Sequence, residues 1–125
     1  MSGRERLERY LRENGVSYEV EEHPTAYTAQ KIAATEHVPG RMFAKVVMAT
    51  TNGDLVMLVL PAPSVVDVGK VAEVVGEDVR LASESEFATT FAVCEPGAMP
   101  PFGNLYDLPV YVDTALRRNE RIVFQ

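Results

Sequence analysis

One cysteine, two histidines and no long apolar run leave this 125-residue chain little material for several common chemistries. Cys94 alone excludes an internal disulfide framework and fits a reducing compartment. His23, His37 and Cys94 are too few and too dispersed for zinc, and no C-x-x-C is present. Nor is there a Walker A loop, a G-x-G-x-x-G or an H-E-x-x-H. The longest apolar stretch, LVMLVLPAP, is about half of what a membrane span requires. The N-terminus, MSGRERLERYLREN, is charged from the start and has no apolar h-region, so it does not read as a signal peptide. There are no repeats and no low-complexity tracts. The expectation is a soluble, cytoplasmic protein with no metal, no cofactor and no membrane contact.

Positive charge is also scarce: the net charge is −6 and the pI is near 4.9. A domain that grips nucleic acid by counterion release usually carries a basic face. That balance argues against nucleic-acid gripping as the main role, while leaving room for transient contact with one end of an RNA. Arginines do cluster at positions 4, 6, 9 and 12, and again at 117, 118 and 121. Glu5 with Arg9 and Glu8 with Arg12 stand at i,i+4 in the favourable order, so a solvated, salt-bridged helix face is the preferred reading.

What is present reads as one α+β domain over residues 1–125. A central mixed sheet of about six or seven strands, surrounded by helices, is expected. The first helix spans about Ser2 to Asn14 and stops at Gly15. SYEVEE alternates as a half-exposed strand does, and a helix from about Thr28 to Val38 ends at Pro39-Gly40. RMFAKVVMAT and LVMLVL flank Asn52-Gly53, the strongest short hairpin signal available. LVMLVL lacks alternation, which predicts cover on both faces. Ser64 with Asp67 resembles a capping box for a helix ending at Gly76, and Ser83 with Glu86 repeats the pattern. VRLA, FAVCE, PVYVD and RIVF are the remaining strand candidates.

Two features could carry chemistry. Period-2 geometry sets Phe43, Lys45 and Val47 on one face of their strand and Met42, Ala44, Val46 and Met48 on the other. Both faces are apolar, so Lys45 projects from a strand that reads as buried on both sides. A lysine is almost never fully buried without a partner, and desolvation favours the neutral form of any amine. Its alternative is structural: the stem packs on Phe43 and the ammonium snorkels to a sheet edge. The second feature is PGAMPPFG, residues 96–103, where glycines bracket two prolines. Such a loop can fix the N–H groups of Gly97, Ala98 and Met99 in a cluster suited to an oxyanion or a bound carbonyl. A rigid crossover is the commoner role of such loops. Cys94 with His23 is a candidate nucleophile pair, against which a lone cysteine in an apolar stretch is usually core.

In order, EEHPTAYTAQKIA, FAKVVM before the Asn-Gly hairpin, LVLPAPSVVDVGKVA, PGAMPPFG and VYVD resemble the YbaK/prolyl-tRNA editing family of aminoacyl-tRNA deacylases. The resemblance covers roughly residues 20–113; each motif is short, and the ordered set carries it. It implies an enzyme that hydrolyses the ester of a mischarged tRNA, often tRNA(Pro) bearing alanine, cysteine or another small residue, by double-sieve logic. The implied partners are the tRNA 3′ acceptor end and a synthetase such as prolyl-tRNA synthetase. Lys45 matches the family's required lysine and Gly97 to Pro101 its G-x-x-x-P loop. In the mechanism that follows from the resemblance, the Gly97, Ala98 and Met99 backbone positions the ester carbonyl and a water. Lys45 either orients the substrate or activates that water. His23, Thr25, Tyr27 and Thr28 line the pocket with Pro101, Phe102 and Gly103, and Asp113 holds the loop or neighbouring backbone. Thr28 has an equal reading as a helix N-cap, and Asp113 as a turn residue. Relatives commonly continue past RIVFQ, and often carry a small or hydroxyl residue where this chain has Met99-Pro100. Substrate selection is thus the least transferable part. The rival reading is a non-catalytic ligand- or protein-binding module that kept the fold, which the acidic pI favours slightly.

Overall fold

Asn52 and Gly53 reverse the chain with φ of 50° and 82°, the paired positive values of a type I′ turn. They join β1 (Ala44–Thr51) to β2 (Asp54–Pro61) in an unbroken antiparallel ladder from Thr51↔Asp54 to Ala44↔Pro61. In the computed structural model, residues 3–20, 39–87 and 99–124 are described. Among them β3 (Arg80–Leu81) pairs antiparallel with β1, and β4 (Val110–Val112) pairs parallel with β2. The order is β3-β1-β2-β4, a mixed sheet in an α+β arrangement.

The sheet therefore has four strands among the described residues, where about six or seven were expected. Residues 17–20 of SYEVEE form no strand, and FAVCE lies outside the described residues, as does the helix expected over 28–38. RIVF contributes a single bridge, Phe43↔Val123, with Val123 N–H donating to Met42 O at 2.8 Å and Ala44 N–H to Val123 O at 2.7 Å. The ladder cannot extend because Gly40–Met42, immediately before Phe43, winds into a 3-10 turn.

β2 is buried along its last six residues, so the unalternating LVMLVL has cover on both faces. One face carries Ala44, Met48, Met57 and Val59 with Leu116, against which Phe87, Met99, Tyr106, Leu108 and Phe124 pack. The other carries Ala49, Val56 and Leu58, covered by Val66, Val71, Val79 and Tyr111. Phe43 and Met57 are the largest fully buried side chains. Truncating either would cost about 2–5 kcal/mol.

Helix α1 (Gly3–Glu13) closes as expected: Gly15 takes φ 67°, and Val16 N–H donates to Leu11 O at 3.0 Å. Its i,i+4 ion pairs are Arg4–Glu8 at 3.5 Å and Arg9–Glu13 at 3.0 Å. These stand one residue from the Glu5–Arg9 and Glu8–Arg12 pairing expected. Exposed pairs at this spacing differ by a few tenths of a kcal/mol, so local rotamers choose between registers.

Helix α2 (Val68–Val75) ends at Gly76, φ 85°, as the sequence requires, but its N-cap is Asp67, whose carboxylate accepts from Lys70 N–H at 3.1 Å. Ser64 is not the cap. Its own N–H donates to Pro61 O at 2.9 Å, so it belongs to the turn that ends β2. Helix α3 (Glu84–Phe87) keeps the second capping pattern, with Ser83 Oγ donating to Glu86 Oε1 at 3.1 Å. No described helix is long and apolar enough to cross a membrane.

Candidate functional site

Three strand ends converge at one end of the sheet. β1 begins there, and β2 and the parallel β4 both finish there. Lys45 faces Leu60 across β1–β2, and Val59 faces Val112 across β2–β4, which places Asp113 beside Leu60. At two strand spacings, Lys45 and Asp113 are about 10 Å apart in the same row. The structure thus brings together two of the sequence-predicted site residues, 68 positions apart in the chain by their numbering.

Lys45 is half-buried, and its Nζ donates to the carbonyl oxygen of Ser64 at 2.5 Å. That acceptor exists because Pro61, Ala62 and Pro63 fold the chain back over the strand it has just left. Ala62 N–H donates to Phe43 O at 2.8 Å, and a Cβ on Gly40 would stand 3.3 Å from the Pro63 ring. The corner is therefore tight on the Gly40 and Phe43 side. A single backbone partner of this kind serves a lysine that snorkels to the sheet edge and one placed to meet a ligand alike. A lysine ammonium has three donors, and Ser64 engages one of them, leaving two for a ligand or water.

Asp113 caps the 3-10 turn Thr114–Arg118, its carboxylate accepting from Ala115 N–H at 2.9 Å while its own N–H donates to Val59 O at 2.8 Å. It holds neighbouring backbone, and in doing so fixes how the chain leaves β4.

The Gly/Pro loop has a different character. Gly97 and Ala98 lie outside the described residues, as do His23, Thr25, Tyr27, Thr28 and Cys94. Met99 is half-buried against the Ala44, Met48, Met57 and Val59 cluster, the face opposite to that of Lys45 in β1. Pro101 is half-buried and Pro100 buried. Phe102 lies between two rings, with centroids 5.6 Å from Tyr10 of α1 and 5.6 Å from Phe124. Gly103 is buried, and a Cβ there would sit 2.7 Å from Val110 Cγ2 and 3.2 Å from Leu108 O. Both residues have packing reasons to be what they are.

Sequence reasoning missed the Ser64 carbonyl and the docking of α1. Arg6 donates to Leu105 O at 3.3 Å and lies 5.1 Å from the centre of the Tyr106 ring. Neither had a local signal, because each joins segments remote in sequence.

Residues 23–125 match the aminoacyl-tRNA editing domain. No curated protein sequence matches the chain. Solved structures share the fold. One comes from computational grafting of linear epitopes onto scaffold proteins, with TM-score 0.78 and 20% identity, covering 98% of this chain and 78% of that one. A hypothetical protein gives TM-score 0.80 and 20% identity, over 95% and 80% of the two chains. A proposed trans-editing enzyme for prolyl tRNA synthetase gives 0.77 and 23%, over 94% and 75%. The match to the editing domain spans the sheet, the Lys45 corner and the Gly/Pro loop, and on it the chain belongs to the aminoacyl-tRNA editing domain family.

Proposed function

We propose that the protein is a trans-acting aminoacyl-tRNA deacylase of the cytoplasm that hydrolyses the ester of a mischarged tRNA. The favoured substrate is tRNA(Pro) bearing alanine, cysteine or another small residue, reached at its 3′ acceptor end and delivered free or by a synthetase such as prolyl-tRNA synthetase. The observation that carries this reading is Lys45, held by Ser64 inside a chain that matches the editing domain.

In this mechanism Lys45 is a positioning group. One donor goes to Ser64 O, which fixes the Nζ, and the remaining donors orient the terminal adenosine or the aminoacyl group. The N–H groups of Gly97, Ala98 and Met99 receive the ester carbonyl as it becomes an oxyanion. Water adds to that carbon, the tetrahedral intermediate collapses, and the ribose oxygen leaves with a proton taken from solvent. His23, Thr25, Tyr27 and Thr28 supply the pocket that excludes larger amino acids.

The test is deacylation of Ala-, Ser- and Cys-charged tRNA(Pro) by wild type and Lys45→Ala. Hydrolysis of one species, lost in the variant while the fold persists, supports editing and names the substrate. Wild type inert on every species, with and without the synthetase, replaces this reading with the binding module. Full activity in Lys45→Ala would make the lysine structural.

A further inference from the structure

The chain carries a net charge of −6, yet the sheet end that presents Lys45 is rimmed by arginines. Arg41 is exposed on the 3-10 turn Gly40–Met42, four residues before Lys45 and so within about 14 Å of it along the backbone. Arg117 and Arg118 are exposed on the last turn of Thr114–Arg118. The two 3-10 turns pack together, and Asn119 Nδ2 donates to Arg41 O at 2.8 Å, locking one beside the other. Arg121 follows, and among the described residues its ion pair is with Glu19 at 3.6 Å, both side chains about two-thirds exposed, a pairing of little strength.

Among the described residues no carboxylate pairs with Arg41, Arg117 or Arg118. The arginines of α1 differ, since Arg4 and Arg9 are engaged by Glu8 and Glu13. The solvated, salt-bridged reading therefore suits Arg4 and Arg9 of the first cluster, and among the described residues it does not describe Arg41, Arg117 and Arg118. Guanidinium groups on two adjacent turns reinforce a local positive potential, with the exposed Glu120 and the cap Asp113 as the carboxylates nearest to Arg117 and Arg118 in the chain. Guanidinium forks also match phosphate oxygens in pairs, which lysine does not.

We propose that Arg41, Arg117 and Arg118 form the surface that receives the phosphate backbone of the RNA whose acylated end reaches Lys45. The inference rests on the editing reading for its partner, and on the packing of the two turns for its location. The arginines contact backbone and not bases, so they provide grip and register without sequence choice. An acidic protein can then bind RNA transiently at one rim, directed toward the reacting end.

The experiment is fluorescence anisotropy with an uncharged RNA hairpin carrying a single-stranded 3′ end, across a range of salt concentrations. Wild type is compared with R117Q/R118Q and with R9Q/R12Q, which removes the same charge from α1; melting curves check that each variant folds. The expected result is about a tenfold loss of affinity for R117Q/R118Q, with its salt slope smaller by roughly 2, and wild-type binding for R9Q/R12Q. Equal losses in the two variants, wild-type binding by R117Q/R118Q, or no binding by wild type would each overturn the surface. Hydrolysis is scored separately. Binding that depends on Arg117 and Arg118 in a protein that hydrolyses no charged tRNA supports the surface and removes the editing reading. Hydrolysis with R117Q/R118Q binding as wild type overturns the surface and keeps that reading.

Discussion

Lys45 and Phe102 both stand out in the sequence as candidate site residues, and the fold treats them in opposite ways. The Lys45 corner is built from backbone: a turn through Pro61–Ser64 returns a carbonyl to the ammonium, and the rest of that charge stays available. The corner at Pro100–Gly103 is built from side chains, with Tyr10, Phe102 and Phe124 in a row of rings and Gly103 pressed on Val110 and Leu108. A corner held by main-chain geometry leaves its functional group free to act on something else. One held by side-chain packing spends those groups on stability. A residue's type therefore does not tell which corner it serves.

The contrast can be broken by substitution. Lys45→Ala has the largest expected effect, a loss of roughly a hundredfold or more in deacylation, the scale of removing one preorganised donor. Its stability should fall by only about 1 kcal/mol, since Ser64 O regains water. Phe102→Ala should do the reverse. Losing two ring contacts and part of a half-buried ring costs about 2–3 kcal/mol, or roughly 3–5 °C of melting temperature per kcal/mol, with activity per folded molecule reduced less than tenfold. A steep fall in kcat/KM at unchanged Tm would make Phe102 a substrate contact instead.

Gly103→Ala sharpens the same point with one methyl. Its Cβ would overlap Val110 Cγ2 at 2.7 Å, and the backbone oxygen of Leu108 at 3.2 Å leaves little room to yield. A loss of about 1–3 kcal/mol is expected in denaturant melts. The smallest effect belongs to a charge outside both corners. Glu86 accepts two hydrogen bonds from Arg80, at 2.9 and 3.0 Å, and these hold its carboxyl below the ordinary carboxylate range; slight desolvation opposes them and Ser83 assists. Because the folded form titrates lower than the unfolded, this contribution is full above the ordinary carboxylate range. It disappears as pH falls through the depressed folded value. Glu86→Gln should therefore lower Tm slightly at neutral pH and not at the acid end, a difference thermal melts across pH would read.

Much of the frame was legible in single residues. Asn52-Gly53 required its turn, Gly15 and Gly76 ended their helices, and the unalternating LVMLVL was buried on both faces. Legibility stopped where a signal was shared between two uses. Ser64 with Asp67 has the spacing of a capping box, but Pro61 and Pro63 had already committed Ser64 to a turn, and Asp67 took the cap. RIVF has the composition of a strand, yet a 3-10 turn in its partner allowed one bridge. VRLA and PVYVD yielded only short strands for the sheet's edges.

The sequence by itself determined the hairpin, the glycine stops of two helices and the order of motifs that places the chain in its family. Those depend on backbone preference and local period, which a few adjacent residues carry. The stretch around Lys45, by contrast, reads as buried on both sides and is only half-buried from Lys45 to Val47. Only the tertiary structure decided that Lys45 would meet the Ser64 carbonyl, that Asp113 would stand in its row, and that Arg41 would join Arg117 and Arg118 on one rim. Each of those meetings depends on sheet register and turn packing between remote segments, where the deciding energy lies in contacts that no local window contains.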